Sequence, residues 1–310
     1  MSRYALGLIL AAMSSSVFAA DPVRPGNVKD RIVLIRREDE FDSTTSLVEA
    51  ITRGNASMET VAKVKLGLSS IRVSPDGKQL ALIIEHDNRE CLRVLSFADA
   101  EKSQTTLATD ADWIGGWSPD GTKIIYGGGD RGQRTNFILD LATQQIRPIA
   151  LPLTDIVWDW SPDGKEVLTI SDSQPERNQP RQIRRANLDG TELVRLTDGV
   201  TDGICPRFSP DGRKVLFSST RTRWSQIFVM DRDGKNVLQL TSNKDRSANG
   251  VCWSPDGKEV LCRLWKIGPL DENGNGPISD AHLILMNADG TEPKEFLPPM
   301  GNVAWFLDWR

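Results

Sequence analysis

The loop Asp271-Glu-Asn273-Gly-Asn275-Gly-Pro-Ile-Ser279-Asp280 puts oxygen-bearing side chains at its positions 1, 3, 5 and 9 and a glycine at position 6. That is the spacing with which a chain wraps a calcium ion. Calcium takes roughly six to eight oxygens, and such a loop closes on a bidentate glutamate at its twelfth position, where this chain has His282. Asp271, Asn273, Asn275, Ser279 and Asp280 are therefore a candidate Ca2+ set completed by carbonyls or water, and the alternative is a polar Asn-Gly-rich connection. Catalytic chemistry is poorly provided for. With only His86 and His282, a histidine-rich metal site cannot be built, and no G-x-S-x-G elbow is present. A lone histidine base or a pair of aspartates acting on a glycoside stays open, but no catalytic residue is assigned.

What positions these groups is a repeat. Ser74-Pro75-Asp76-Gly77 returns at 118–121, 161–164, 209–212 and 254–257, a period of 43 to 48 residues. Proline presets the first central position of a type I turn, aspartate bonds the backbone ahead, and glycine takes the left-handed position that ends a hairpin with a bulge. Val73, Trp117, Trp160, Phe208 and Trp253 precede the turn, and runs such as Lys214-Val-Leu-Phe follow it. These are strand compositions, and short strands at this period read as β-propeller blades. Each large aromatic hides about 150–250 Å² and suits a wedge between blades. A second turn recurs as Asn187-Leu-Asp-Gly190, Asp231-Arg-Asp-Gly234 and Asn287-Ala-Asp-Gly290, followed by Leu196-Thr197 or Leu240-Thr241.

The ends of the chain complete each other. Arg31-Ile-Val-Leu-Ile-Arg, Leu47–Thr52 and Glu59–Val64 scan as second, third and fourth strands lacking a first, and Asn302–Trp309 reads as a first strand ending in tryptophan. The expectation is an all-β, six-bladed propeller of four-stranded antiparallel blades, with one blade closed by both termini, which removes exposed sheet edges. Met1–Ala19 reads as a secretory signal peptide with Arg3 in its n-region and Val17-Phe18-Ala19 at a cleavage site, and residues 20–310 as the propeller. No apolar run is long enough for a transmembrane helix. With 38 basic and 42 acidic residues the net charge is −4, which argues against nucleic acid as a partner. Four cysteines, Cys91, Cys205, Cys252 and Cys262, fit no metal spacing; a bridge is allowed in an exported chain but not assignable.

In a four-stranded meander the tight turns emerge at one end, and the second-to-third and blade-to-blade loops emerge at the other. The variable end is the place for function. Asp110, Asp112, Asp155, Asp202 and Asp245 fall in blade-to-blade loops near the axis; His86, Arg89, Arg131, Arg134, Arg177, Arg181, Arg221, Arg223 and Trp224 fall toward the rim. An acidic mouth within a basic rim suits a basic peptide segment or a cation, with arginines and Trp224 as anchors; the alternative is that these loops are simply solvated.

Trp253-Ser-Pro-Asp-Gly-Lys, the Met286-Asn-Ala-Asp-Gly turn and the Leu240-Thr ending together resemble the repeat of the TolB-type six-bladed propeller family. The resemblance spans the chain after the leader and is to the propeller portion alone, without the α/β domain that precedes it in TolB proper. It implies a periplasmic cell-envelope setting; with the export signal and no catalytic constellation, the expectation is a periplasmic or secreted, non-catalytic, monomeric scaffold that captures an envelope protein or peptide at its loop-rich face. Related propellers also gate prolyl oligopeptidase-like enzymes and form oligogalacturonate lyases, so a carbohydrate-binding or polysaccharide-acting propeller is the second expectation.

Overall fold

The computed structural model describes residues 17–19, 31–37, 45–52, 55–65, 70–98, 105–129, 133–171, 180–200, 202–222, 224–267, 278–297 and 303–309. Among them all regular structure is β-strand, arranged as six antiparallel sheets, each a blade. Counted outward from the axis, the first blade is Ser70–Val73, Gln79–His86, Arg89–Ser96 and Thr105–Thr109. The second is Trp113–Trp117, Lys123–Gly128, Thr135–Asp140 and Ile146–Ile149. The third is Asp155–Trp160, Glu166–Ser171, Ile183–Asn187 and Val194–Arg195. The fourth is Gly203–Phe208, Lys214–Ser219, Gln226–Asp231 and Leu238–Gln239, and the fifth Ser247–Trp253, Glu259–Ile267, Ile278–Asn287 and Lys294–Leu297.

The sixth blade is the composite expected from the ends. Val303–Trp309 is its inner strand and pairs with Arg31–Arg37, with Ile32 opposite Trp309 and Arg36 opposite Val303. Thr45–Thr52 and Asn55–Lys65 lie outside. Val17–Ala19, the last three residues of the expected leader, add a fifth strand against Val64, Lys63 and Ala62. The 11-residue outer strand explains the docking, because a long edge presents a row of backbone groups that another segment can pair.

The second strands are apolar over nearly their whole length because each is covered on both faces by neighbouring blades. Ile124, Ile125, Val167, Leu168, Val215, Leu216, Val260 and Leu261 are fully buried. One such cluster, Leu168, Ile183, Leu196, Phe208, Val215, Phe217, Phe228 and Met230, joins the third and fourth blades, and each side chain of that size contributes about 1.5–3 kcal/mol on burial. None of the four cysteines is in a disulfide; burial pushes the Cys262 thiol up to about 12.

Candidate functional site

The repeated tetrapeptide folds the same way five times. In the second blade, the Ser118 hydroxyl donates to Asp120 Oδ1 at 2.6 Å and accepts from Lys123 N at 2.9 Å, while Asp120 Oδ1 accepts from Thr122 N at 3.0 Å. Gly121 N donates to Ser118 O, and Gly121 sits at φ +71°, the left-handed position that the turn requires. The same serine–aspartate bond recurs at Ser74, Ser161, Ser209 and Ser254. The turns also interlock, since the glycine of each packs toward the proline of the preceding blade, Gly164 on Pro119, Gly212 on Pro162 and Gly257 on Pro210.

Inside the turns, the residue that precedes each wedge forms an axial ring with an approximate two-fold pattern. From the sixth blade round to the fifth it reads Asp308, Arg72, Gly116, Asp159, Arg207, Cys252. Asp308 Oδ2 accepts from Val73 N at 2.8 Å, and Asp159 Oδ2 from Phe208 N at 2.8 Å, three blades away. The wedge that follows each arginine's blade donates backward, Trp117 Nε1 to Arg72 O at 3.0 Å and Trp253 Nε1 to Arg207 O at 3.3 Å. Aspartates thus tie a blade to its successor and indoles tie a blade to its predecessor. Arg207 Nη1 lies 3.5 Å from Asp159 Oδ1, with both side chains about nine-tenths buried.

The turns and the ring together enclose a funnel on the axis with a volume of about 280 Å³. All five turn prolines line it, along with the aromatic wedges and Asp159, Arg207 and Asp308. Its polar atoms are unevenly matched. Both aspartates already accept backbone N–H groups, whereas the Trp160 Nε1–H and Arg207 Nε–H are buried with no acceptor among the described residues. The tight-turn end was expected to hold structure only, and it also builds a cavity.

The loop end is a set of mostly satisfied pairs. Asp110 is exposed, at φ +59°, and lies 3.9 Å from Arg89; His86 and Arg89 flank a two-residue turn, Asp87-Asn88, with both φ values positive. Asp155 departs from the expected open mouth: it opens the inner strand of the third blade and is wholly buried, 2.7 Å from Arg184 Nη1 and accepting from Thr169 Oγ1 at 2.8 Å. Asp202 accepts from Arg181 N at 2.6 Å. Arg134 meets Asp112 at 2.8 Å, and burial pushes that carboxyl up against the pull of Arg134. Arg221 lies over the Phe228 ring at 4.9 Å, Trp224 Nε1 donates to Lys244 O at 2.7 Å, and Asp245 pairs with Lys266 at 3.1 Å. His282 Nδ1 is 2.8 Å from Glu295 Oε1. Arg131, Arg177, Arg223, Asp271, Asn273 and Asn275 lie outside the described residues, and Ser279 and Asp280 are placed only as part of a strand.

The family model described as the TolB beta propeller domain matches residues 116–267. An uncharacterized protein of Agrobacterium fabrum is 31% identical over 226 residues, 70% of this chain and 71% of its own length. The chain belongs to the TolB-type propeller family. The Tol-Pal system protein TolB of Francisella tularensis subsp. holarctica is 26% identical over 194 residues, which is 60% of this chain and 44% of that relative, so the chain aligns with less than half of it. The crystal structure of TolB from Acinetobacter baumannii superimposes with a TM-score of 0.70 over 92% of this chain and 67% of that one, at 19% identity, a likeness of fold.

In this TolB-type propeller the funnel residues escaped the motif reading because they stand one place before the wedges. The alternation Asp-Trp, Arg-Val or Arg-Phe was nevertheless visible at 159–160, 308–309, 72–73 and 207–208. A further pair was also readable: Thr197 Oγ1 donates to Gln182 Oε1 at 2.6 Å and Thr241 Oγ1 to Gln226 Oε1 at 2.8 Å, each at a spacing of 15. These buried bonds join the start of a third strand to the residues just past the fourth.

Proposed function

We propose that this chain is an exported, non-catalytic scaffold of the cell envelope that captures a protein segment, with the axial funnel as its anchoring site. The observation that carries the reading is the funnel itself, a recess ringed by five prolines and by aromatic wedges and built from the repeat. Concave recesses that combine apolar walls with fixed polar groups, here Asp159, Arg207 and Asp308, are where ligands are held. A relative named as a Tol-Pal system protein supports an envelope partner, and the leader composition of Met1–Ala19 supports export. The loop end contributes less anchoring, because Asp155 is buried and Asp112, Asp202 and Trp224 already bond within the chain.

The test is capture from a native envelope extract with three immobilised proteins, read by mass spectrometry. They are the wild type, Pro119→Lys with Pro162→Lys, and Arg221→Ala with Trp224→Ala. Pro119 and Pro162 are exposed at the mouth, and a type I turn tolerates lysine there. A specific protein retained by the wild type and the loop-end variant, and lost by the mouth variant, is expected. Equal retention by the mouth variant refutes the assignment, and glycan fragments retained in place of protein move the function to carbohydrate binding.

A further inference from the structure

The funnel wall holds two donors that no acceptor among the described residues meets. Asp159 accepts from Phe208 N and faces Arg207; Asp308 accepts from Val73 N; and the Ser254 hydroxyl donates to Asp256 while accepting from Glu259 N. The Arg207 carbonyl is taken by Trp253. Against these stand two N–H groups, Trp160 Nε1 and Arg207 Nε, that find no acceptor among the described residues. Both side chains line the funnel and each is only 7% exposed. A buried donor left unmet is penalised in full, whereas one that gains an acceptor recovers that loss.

We propose that the funnel binds a prolyl segment of a partner, in extended polyproline-II form, whose carbonyls accept from Trp160 and Arg207. The inference rests on the funnel being the capture site. An ordinary peptide brings an N–H for every carbonyl, and each N–H beyond those the two carboxylates can take would lose water without gaining an acceptor. Proline brings the carbonyl alone. Its ring also matches a wall of prolines and indoles, and its backbone is ordered before binding, which lowers the entropy lost. Arg207, 3.5 Å from Asp159, offsets one of the two funnel carboxylates, and a basic segment drawn to them is the competing occupant that the lysine peptide tests. At about 280 Å³ the recess admits a short segment rather than a folded surface. Neither N–H has exposed surface, so an incoming carbonyl reaches them only when the indole or the guanidinium turns toward the funnel.

The test uses the whole protein and calorimetric titration with three capped hexapeptides: Ala-Pro-Pro-Ala-Pro-Pro, the all-alanine analogue, and Ala-Lys-Lys-Ala-Lys-Lys. The prolyl peptide is expected to bind saturably and at least about tenfold more tightly than either of the others. Trp160→Phe removes the N–H together with one ring of a buried wedge, so the melting temperature of the free protein should fall modestly. Below that transition it should weaken binding of the prolyl peptide about tenfold. Trp224→Phe at the opposite end should leave binding as it is. Equal binding of the alanine peptide, preference for the lysine peptide, or indifference to Trp160→Phe overturns the proposal. If no peptide binds while the Pro119→Lys, Pro162→Lys variant still loses envelope capture, the prolyl inference falls and the capture site stands. If capture is also indifferent to that variant, both fall.

Discussion

Asp155 shows what a single carboxylate does when the backbone carries it inside. The residue opens an inner strand and is wholly buried, where Arg184 Nη1 and the Thr169 hydroxyl both donate to its carboxylate. Removing Asp155 leaves the buried Thr169 hydroxyl and the part-buried Arg184 guanidinium without their acceptor, which costs about 1–3 kcal/mol. Asp155→Ala should therefore lower the urea midpoint strongly. Asp110→Asn should change stability by less than about 0.5 kcal/mol, because its pairing with Arg89 at 3.9 Å is open to water and asparagine tolerates the left-handed backbone there. Equal midpoints for the two variants would show that the Asp155 network contributes nothing. Both aspartates sit in similar polar stretches of sequence, and only the inward turn of the strand separates them.

The tight turn is the element in which sequence and energetics meet most directly. Bonds from the Ser118 hydroxyl and then from the Thr122 N–H and hydroxyl hold the Asp120 carboxyl down at about 2, against an ordinary value of 3.8. Asp76 and Asp211 are lowered in the same way, chiefly by Ser74 and Ser209. A carboxyl whose folded value lies below its unfolded value contributes stability that is present above the unfolded value and lost as the pH falls through the folded one. The protein should therefore lose stability between about pH 4 and pH 2. Asp120→Asn with Asp211→Asn should flatten that slope in urea titrations at a series of pH values, and an unchanged slope would refute the assignment. This turn was fully legible beforehand, because Ser-Pro-Asp-Gly specifies its own hydrogen bonds locally. So was the blade count, since a wedge and a turn recur in phase. The funnel was not legible, because it arises only when the ends of six inner strands converge, and no single stretch of sequence contains more than one of its walls.

At the scale of the whole molecule the question is what keeps a ring of six sheets from opening. Five blades are continuous in sequence, and the sixth is joined by backbone pairing between Val303–Trp309 and Arg31–Arg37. That seam carries two further ties: Asp308 accepts from Val73 N in the first blade, and Trp309 reaches the funnel wall. Without the inner strand, Arg31–Arg37 becomes an exposed edge, and Ile32, Val33 and Leu34, all fully buried in the closed ring, meet water. The fifth and first blades lose their common neighbour at the same time, so the damage is shared by the one core cluster that spans all three. A chain ending at Met300 should lose the sharp urea transition of the full chain and self-associate in size-exclusion chromatography through its open edge. A synthetic peptide of residues 301–310, added in excess, should restore the elution volume of the full chain and the transition, because the missing strand binds by the same ladder when it is no longer covalently attached. A truncated chain that elutes in the same state as the parent, with the parent midpoint, would mean that the seam is dispensable and that the blades are held by their side-by-side packing alone.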